Sequence, residues 1–247
     1  MNITLNSISC RYGKRVALDA VSCSFSAGEM VAIIGPNGSG KSTMLRCINR
    51  IMLPFRGFVT YDGKNLLDMK ASEVAEVVAY VPQYSEDDKY STVFDSVLLG
   101  RKPYLRGVPT RGDYAKVADA IVKMGLEELS MRPLSALSGG ERQRVMVARA
   151  LAQHPAVILL DEPIASLDIK HQLGVMNTLR RLADGGVTVI VTIHDVAMAA
   201  RYCNKTIMLK EGRIFAIGGS EIYTPENIRV VYDVDKELYE LYHSIHL

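Results

Sequence analysis

A glycine-rich segment near the start of the chain has the residues needed to hold a polyphosphate. Gly35, Gly40, Lys41 and Ser42 fit the pattern G-x-x-x-x-G-K-[ST], between an apolar run that predicts a strand and an amphipathic stretch that predicts a helix. Glycines let successive backbone N–H groups face an anion, and the positive end of the helix adds to their effect. Lys41 would contact the β- and γ-phosphates, and the Ser42 hydroxyl would bind Mg²⁺. A glycine-rich turn before an ordinary helix is the alternative, but the pattern in this context predicts binding of a nucleoside triphosphate.

Two adjacent carboxylates follow a second apolar run. Residues 156–160 predict a buried strand, which delivers Asp161 and Glu162 at its carboxyl end. In an open α/β sheet, ligands bind beside the carboxyl ends of the parallel strands, so both acids should face the glycine-rich segment. Asp161 would hold Mg²⁺, and Glu162 would accept a proton from an attacking water or hold that water in line. The alternative is a solvated acidic pair at a strand end.

Three single residues stand where predicted strands meet loops. Tyr12 precedes Gly13 at a turn, where its ring would either stack on adenine or cover the edge of the sheet. The Gln83 amide follows the predicted strand 78–81 and would either coordinate Mg²⁺ or simply be solvated. His194 ends the apolar run 187–193 on the same sheet edge as the acidic pair, which favours a contact with the γ-phosphate over a structural role.

A helical lobe is predicted between the two halves of the sheet, because strand signals disappear between residues 91 and 153. Ser138 and Glu141 form an S-x-x-E capping box, which needs no ligand, but Gly139 and Gly140 also leave this helix end open as a second phosphate site. Residues 99–103 are expected to form the most exposed turn of the lobe. Asp168 should cap the helix after the acidic pair.

Composition limits the class of protein. The 247 residues are 48% hydrophobic with a net charge of +2, which suits one large core with a smaller lobe and gives no basic nucleic-acid arm. Apolar runs are far shorter than the ~20 residues of a membrane-spanning helix, and the first residues lack the pattern of a secretory signal. Cys10, Cys23, Cys47 and Cys203 have no metal-site spacing, which favours a reducing, cytoplasmic setting without disulfides.

Residues 137–143, LSGGERQ, together with the glycine-rich segment, resemble the motifs of the ATP-binding-cassette (ABC) ATPases, and the resemblance covers essentially the whole chain. It matches Tyr12 to the aromatic residue on adenine, Gln83 to the Q-loop and His194 to the H-switch. One departure is Ala165, where the family usually has serine. The predicted nucleotide-binding residues are Tyr12, Gly35, Pro36, Asn37, Gly38, Ser39, Gly40, Lys41, Ser42, Thr43, Ser138, Gly139, Gly140, Glu141 and Asp168. The predicted metal ligands are Ser42, Gln83 and Asp161, and the predicted catalytic residues are Glu162, His194, Gln83 and Lys41.

The family resemblance implies a fold and a domain organisation. The fold class is α/β: a P-loop NTPase core of ABC type with a mostly parallel sheet, an N-terminal antiparallel β subdomain and an inserted helical subdomain. The expected divisions are 1–83 and 156–220 for the core, 84–155 for the helical subdomain and 221–247 for a helical C-terminal tail.

Shorter similarities, including AYVPQ at 79–83 and VLLGRKP at 97–103, are closest to importer ATPases for iron–siderophore, haem and cobalamin. They imply an ATPase using ATP and Mg²⁺ at the cytoplasmic face of the inner membrane. The implied partners are a second copy of the chain, integral membrane permease subunits and, indirectly, an extracytoplasmic binding protein, with no nucleic acid. In this head-to-tail dimer, ATP bound by Lys41 of one copy is covered by Ser138, Gly139 and Gly140 of the other.

Three further functions compete with chelate import. The first is an importer ATPase for another substrate. The second is a cassette ATPase acting on DNA or ribosomes, which would ordinarily carry a coiled-coil insertion, a second cassette or a basic patch. The third is a metabolic P-loop kinase, which the segment from Ser138 to Glu141 disfavours.

Overall fold

The computed structural model describes residues 1–83, 91–235 and 237. The strands are β1 (Ile3–Tyr12), β2 (Arg15–Phe25), β3 (Met30–Ile34), β4 (Arg56–Tyr61), β5 (Lys64–Asn65), β6 (Val78–Val81), β7 (Val157–Asp161), β8 (Thr188–Thr192), β9 (Lys205–Lys210) and β10 (Arg213–Gly218). The α-helices are α1 (Lys41–Ile48), α2 (Ala71–Val77), α3 (Val93–Leu98), α4 (Arg111–Lys123), α5 (Gly139–Ala152), α6 (Ile169–Asp184), α7 (Val196–Tyr202) and α8 (Pro225–Tyr232).

A six-stranded sheet lies at the centre of the molecule, with strand order β10-β9-β3-β8-β7-β6. Strands β9, β3, β8, β7 and β6 are parallel, and β10 is an antiparallel edge strand. Successive residues of β3 point to opposite faces, and both faces are covered: Ala32 belongs to one hydrophobic cluster, whereas Val31 and Ile33 belong to another. The carboxyl ends of the parallel strands consequently share one edge of the sheet.

A second, antiparallel sheet has the strand order β2-β1-β4-β5. Helix α1 supplies Met44, Leu45 and Ile48 to the hydrophobic cluster that also contains side chains from both sheets, such as Leu5 of β1 and Leu159 of β7. The glycine-rich segment is thereby followed by a helix whose buried face is fully packed. The predicted α/β fold class, with its mostly parallel sheet and its N-terminal antiparallel subdomain, is confirmed.

Helices α3, α4 and α5 lie between β6 and β7 in the chain and share a hydrophobic cluster with one face of the large sheet. They form the predicted helical insertion. Among the residues that the structure describes, no helix is long and apolar enough to cross a membrane. Residues 84–90 of the predicted lobe, and residues 236 and 238–247 of the predicted tail, lie outside the described residues.

The prediction of an exposed turn at residues 99–103 is right only in part, because Leu99 and Lys102 are exposed but the segment is not a simple turn. Leu99–Tyr104 is a 3₁₀ helix, and the Arg101 side chain within it is buried. Its guanidinium donates to Asp113 Oδ1 at 2.9 Å and to the carbonyl oxygens of Ala152 and Gln153 at 3.1 Å each. Gly100 marks close packing rather than a turn, because a Cβ at this position would lie 2.1 Å from the Arg149 carbonyl oxygen.

Candidate functional site: a nucleotide-binding cleft

The shared edge of the parallel strands opens into a cleft of about 580 Å³. Strand β3 leads into the glycine-rich loop, β6 precedes Gln83, β7 precedes Glu162 and β8 precedes His194. Parallel strand order thus brings together residues from four distant segments. The cleft is lined by Tyr12, Arg15, Ala17, Asn37, Gly38, Gly40, Lys41, Ser42, Thr43, Gln83, Glu162 and His194.

The glycine-rich loop depends on a backbone conformation that suits glycine. Gly40 has φ +107°, and a Cβ there would lie 2.6 Å from the Ala17 carbonyl oxygen. The loop is closed by the Ser39 N–H, which donates to the Pro36 carbonyl oxygen at 3.2 Å. Helix α1 begins at Lys41, directly after Gly40. The unpaired N–H groups of its first turn therefore lie at the loop, as an anion site requires.

The Lys41 ammonium is held at this loop. Its Nζ donates to the carbonyl oxygens of Gly35 at 2.8 Å and Pro36 at 3.1 Å, and the residue is only 5% exposed. Burial lowers the pKa of Lys41, while the nearby carboxylates of Glu162 and Asp161 act in the opposite direction. A positive charge in this position would stabilise an added anion strongly, because little water screens it.

Ser42 and Asp161 supply oxygen atoms of the kind that Mg²⁺ prefers. Ser42 Oγ donates to Asp161 Oδ1 at 3.0 Å, and Asp161 is 2% exposed. A hydroxyl and a carboxylate at this separation fit the usual protein contribution to a Mg²⁺ site beside phosphates, in which the ion keeps several waters. Gln83 also lines the cleft, but its amide nitrogen is turned to Glu162 rather than to this pair.

Glu162 is contacted at both carboxylate oxygens. Gln83 Nε2 donates to Oε2 at 2.7 Å, and His194 Nε2 lies 2.6 Å from Oε1. The backbone at Glu162 has φ +52°, in the left-handed region that non-glycine residues seldom adopt and that is enriched at functional sites. Three of the predicted catalytic residues therefore form one hydrogen-bonded group facing the glycine-rich loop.

Tyr12 stands at the mouth of the cleft, where β1 turns into β2. The residue is 48% exposed, and its hydroxyl accepts a hydrogen bond from Arg46 Nη1 at 3.1 Å. An exposed ring at this point can stack on a base, as predicted. Arg15, its partner across the hairpin, lies beside Gly38, since a Cβ on that glycine would be 3.0 Å from Arg15 Nη2.

The second predicted phosphate site lies elsewhere. Ser138 Oγ accepts from the Glu141 N–H at 3.2 Å, and Glu141 Oε2 accepts from the Ser138 N–H at 2.7 Å, which confirms the capping box. The Ser138 N–H and the Ser138 hydroxyl, which donates to Glu141 Oε2 at 2.8 Å, both lower the pKa of Glu141. None of the four residues 138–141 lines the cleft around Lys41. Asp168 caps α6 as predicted, by accepting from the His171 N–H at 2.9 Å, and it too lies outside the lining.

Sequence reasoning missed three residues of this region, Arg15, Ala17 and Thr192, and Ala17 carried no signal. Arg15 carried one signal, a basic side chain three positions after the aromatic Tyr12 in a predicted hairpin. Thr192 carried a weaker signal, a hydroxyl at the carboxyl end of a buried strand. In the structure it pairs with Asp161 of the neighbouring strand.

Comparisons with known proteins all show similarity to the ABC transporter family. A sequence profile of the ABC transporter family matches residues 18–165. An uncharacterised ABC transporter ATP-binding protein of Methanocaldococcus jannaschii is 42% identical, over 95% of this chain and 92% of that protein. The iron(3+)-hydroxamate import ATP-binding protein of Bacillus subtilis is 36% identical, over 96% and 90% of the two chains. The hemin import ATP-binding protein of Streptomyces coelicolor is 40% identical, over 92% and 81%.

Solved structures agree in fold. A dimeric bacterial ABC transporter cassette superposes with a TM-score of 0.82 at 31% sequence identity, covering 88% of this chain and 98% of that one. The same cassette in a dimeric post-hydrolysis state, bound to ADP and inorganic phosphate, gives a TM-score of 0.80 with the same identity and coverage.

Proposed function

Because this chain belongs to the ABC transporter family and is an ATPase, we propose that it powers the import of a metal chelate, such as an iron–siderophore, haem, cobalamin or a related compound. The support comes from two relatives, which are ATP-binding proteins for the import of iron(3+)-hydroxamate and of hemin. They match nearly the whole of this chain. The short segments 79–83 and 97–103 point to the same group of importers.

Within one chain, the cleft residues would divide the work of hydrolysis. Tyr12 would hold the base, the loop amides and Lys41 would hold the phosphates, and Ser42 with Asp161 would hold Mg²⁺. Bound Mg²⁺ would neutralise part of the phosphate charge. Glu162 would orient the attacking water and accept its proton, because each carboxylate oxygen can accept a further hydrogen bond beside its contact with Gln83 or His194.

Gln83 and His194 also line the cleft and would contact the bound nucleotide. Gln83 is also the remaining candidate Mg²⁺ ligand, and His194 the candidate γ-phosphate contact. Asn37, Gly38 and Thr43 would add loop and helix contacts to the same phosphates.

The observation that carries the proposal of a dimer is the separation of two phosphate-binding segments. Residues 138–141 present an open helix end, but they do not line the cleft that contains Lys41. A second copy of the chain, placed head to tail, would bring that helix end and Asp168 onto the nucleotide. The dimeric state of a solved relative supports this arrangement.

Permease subunits would bind a groove of about 550 Å³ between the core and the helical lobe. Its walls include Tyr80 and Pro82 from the core and Leu99, Lys102 and Gln153 from the lobe. In this arrangement, residues 1–83 and 156–220 would form the core and residues 84–155 the lobe. It places the chain at the cytoplasmic face of the membrane, without a spanning segment of its own among the described helices.

A mixing experiment tests the composite site. Lys41→Ala removes the loop contact but leaves residues 138–141 intact, whereas Ser138→Arg blocks that segment but leaves the loop intact. Each variant alone should be inactive. Mixed in equal amounts, they should recover a fraction of wild-type ATPase activity, because a mixed dimer contains one complete site. Absence of recovery, with both variants folded and dimerising, would contradict the composite site.

A capture experiment tests the transport role. The tagged chain, isolated from detergent-solubilised membranes of cells that produce it with candidate permeases, should retain hydrophobic permease subunits. Retention of nucleic acid instead would favour a cassette ATPase that acts on DNA or ribosomes.

A further inference from the structure

Thr192 lies behind the acidic pair and belongs to none of the motifs of the site. It is the last residue of β8, it is fully buried, and it pairs in register with Asp161 of the parallel strand β7. It does not line the nucleotide cleft. Any influence on the reaction must therefore act through its neighbours.

The hydrogen bonds of Thr192 have one possible direction each. The Glu162 backbone N–H lies 2.8 Å from Thr192 Oγ1 and can only donate, so the hydroxyl oxygen accepts there. The single hydroxyl proton is left for Asp161 Oδ1, which lies 2.8 Å away. One side chain thus holds the carboxylate of Asp161 and the backbone of Glu162 at the same time.

The peptide unit that Thr192 holds has an unfavourable conformation. Glu162 has φ +52°, and the hydrogen bond to its N–H fixes the backbone from which its side chain extends towards Gln83 and His194. Without this bond, the backbone at Glu162 could relax towards a more common conformation. The carboxylate would then move relative to the glycine-rich loop.

Asp161 Oδ1 accepts from two hydroxyls, Thr192 Oγ1 and Ser42 Oγ. Ser42 belongs to the glycine-rich segment and is itself a proposed Mg²⁺ ligand. Thr192 is the partner that comes from the sheet, so it fixes Asp161 independently of the loop.

We propose that Thr192 is a positioning residue for ATP hydrolysis, which sets the relative placement of the Asp161 and Glu162 carboxylates through one buried hydroxyl. The inference rests on the proposed roles of these two acids. Partners that orient a metal ligand, or that place a reacting group, typically change activity by about tenfold to hundredfold when removed.

The same strand contains a matched control. Thr188 begins β8, four residues before Thr192, and is also fully buried. Its hydroxyl faces backbone carbonyl oxygens of Ser26 at 3.2 Å and Met1 at 3.5 Å, at the end of the strand away from the cleft. Thr188→Val and Thr192→Val therefore remove the same group from the same strand, but only one of them touches the acids.

The experiment compares Thr192→Val, Thr192→Ser and Thr188→Val in steady-state ATPase assays at saturating Mg²⁺, with thermal unfolding of each variant. Thr192→Val should lower kcat by about tenfold to hundredfold, with a smaller change in KM for ATP. Thr192→Ser, which keeps the hydroxyl, should stay within about threefold of wild type. Thr188→Val should keep its kcat even if its melting temperature falls as far as that of Thr192→Val.

Two results would overturn the inference. One is a Thr192→Val enzyme with the kcat of Thr188→Val, and the other is a Thr192→Ser enzyme as slow as Thr192→Val. The proposed role of Glu162 is tested separately by Glu162→Gln: if that variant hydrolyses ATP normally, the proposed function of the acid fails whatever Thr192 does. A slow Glu162→Gln enzyme beside a fully active Thr192→Val enzyme would refute the Thr192 inference alone.

Discussion

His194 Nε2 lies 2.6 Å from Glu162 Oε1 in the nucleotide cleft. Because Gln83 contacts the other oxygen at 2.7 Å, neither oxygen of this carboxylate is without a protein partner. Each oxygen can accept a second hydrogen bond, as Asp161 Oδ1 does, so a water that Glu162 activates would bind beside the Gln83 and His194 contacts. The geometry therefore couples the proposed base to the two residues that would sense the nucleotide.

Replacing Glu162 by glutamine should separate binding from hydrolysis. The Lys41, Ser42 and Asp161 contacts remain, so ATP binding should stay within a few-fold of wild type, whereas kcat should fall by about 10²–10⁴ with loss of the base. Nucleotide titration and phosphate release measure the two quantities. Glu128→Gln, an exposed change in the helical lobe, is the control. Steady-state turnover near the wild-type rate would refute the assignment.

Lys41→Ala should act on binding itself. The ammonium is nearly buried at the loop, and a charge-assisted phosphate contact of this kind contributes enough that ATP affinity should fall at least about tenfold. Isothermal titration with MgATP measures the change, and circular dichroism checks that the helix after the loop is still formed. An unchanged dissociation constant would mean that the loop does not bind the phosphates.

Ser138→Arg should abolish turnover while leaving ATP binding to the single chain intact, because the cleft around Lys41 does not include residue 138. Ser138 is also the N-cap of α5, so its loss alone should cost about 0.5–2 kcal/mol of stability. Ser138→Ala removes the cap without adding bulk and is the matched control. If Ser138→Arg hydrolyses ATP as fast as Ser138→Ala, this residue serves only as a helix cap.

The helical lobe should lose stability in acid through Asp113. Hydrogen bonds from the Thr110 hydroxyl and backbone N–H, followed by the bond from Arg101, hold the pKa of Asp113 well below its usual range. Because the pKa of Asp113 is lower in the folded chain than in the unfolded chain, its carboxylate stabilises the fold at pH values above the unfolded-state pKa of about 4. This contribution is lost as the pH falls through the folded-state pKa.

Asp113→Asn should therefore be less stable than wild type at pH 7, and the difference should shrink as the pH falls below about 4. Urea unfolding at several pH values between 3 and 7 measures it. Asp119→Asn, which removes an exposed ion pair with Lys123, should show only a small difference throughout. A difference between wild type and Asp113→Asn that stays constant with pH would show that Arg101 and Thr110 do not act through the charge.

Features that depend on neighbours within a few residues were predictable from the sequence. The Ser138 and Asp168 caps are both present, since each needs only a side chain and the N–H groups of the following turn. Strand β6 matches the predicted range 78–81. The roles of the candidate site residues remain predictions, although ten of them line one cleft.

The prediction for residues 99–103 missed the buried Arg101 for a physical reason. Glycine, proline and two cations in five positions are typical of an exposed turn, and nothing local indicates that Arg101 will meet Asp113. That ion pair forms only when the 3₁₀ helix packs against α4 and the end of α5. The contact between Cys10 and Cys47 is a second one that no local pattern indicates: their sulfur atoms lie 3.1 Å apart, although 37 positions separate them in the chain.

The sequence by itself determined which segments of this protein could do chemistry: a glycine-rich loop suited to phosphates, two acids after a buried strand, and a helix end bearing Ser138. Tertiary structure alone decided that Glu162 meets Gln83 and His194, that Thr192 holds both acids, and that Ser138 stands outside the cleft. The reason is that strand order and register set contacts between distant segments, and these depend on how the whole chain packs rather than on any short pattern within it.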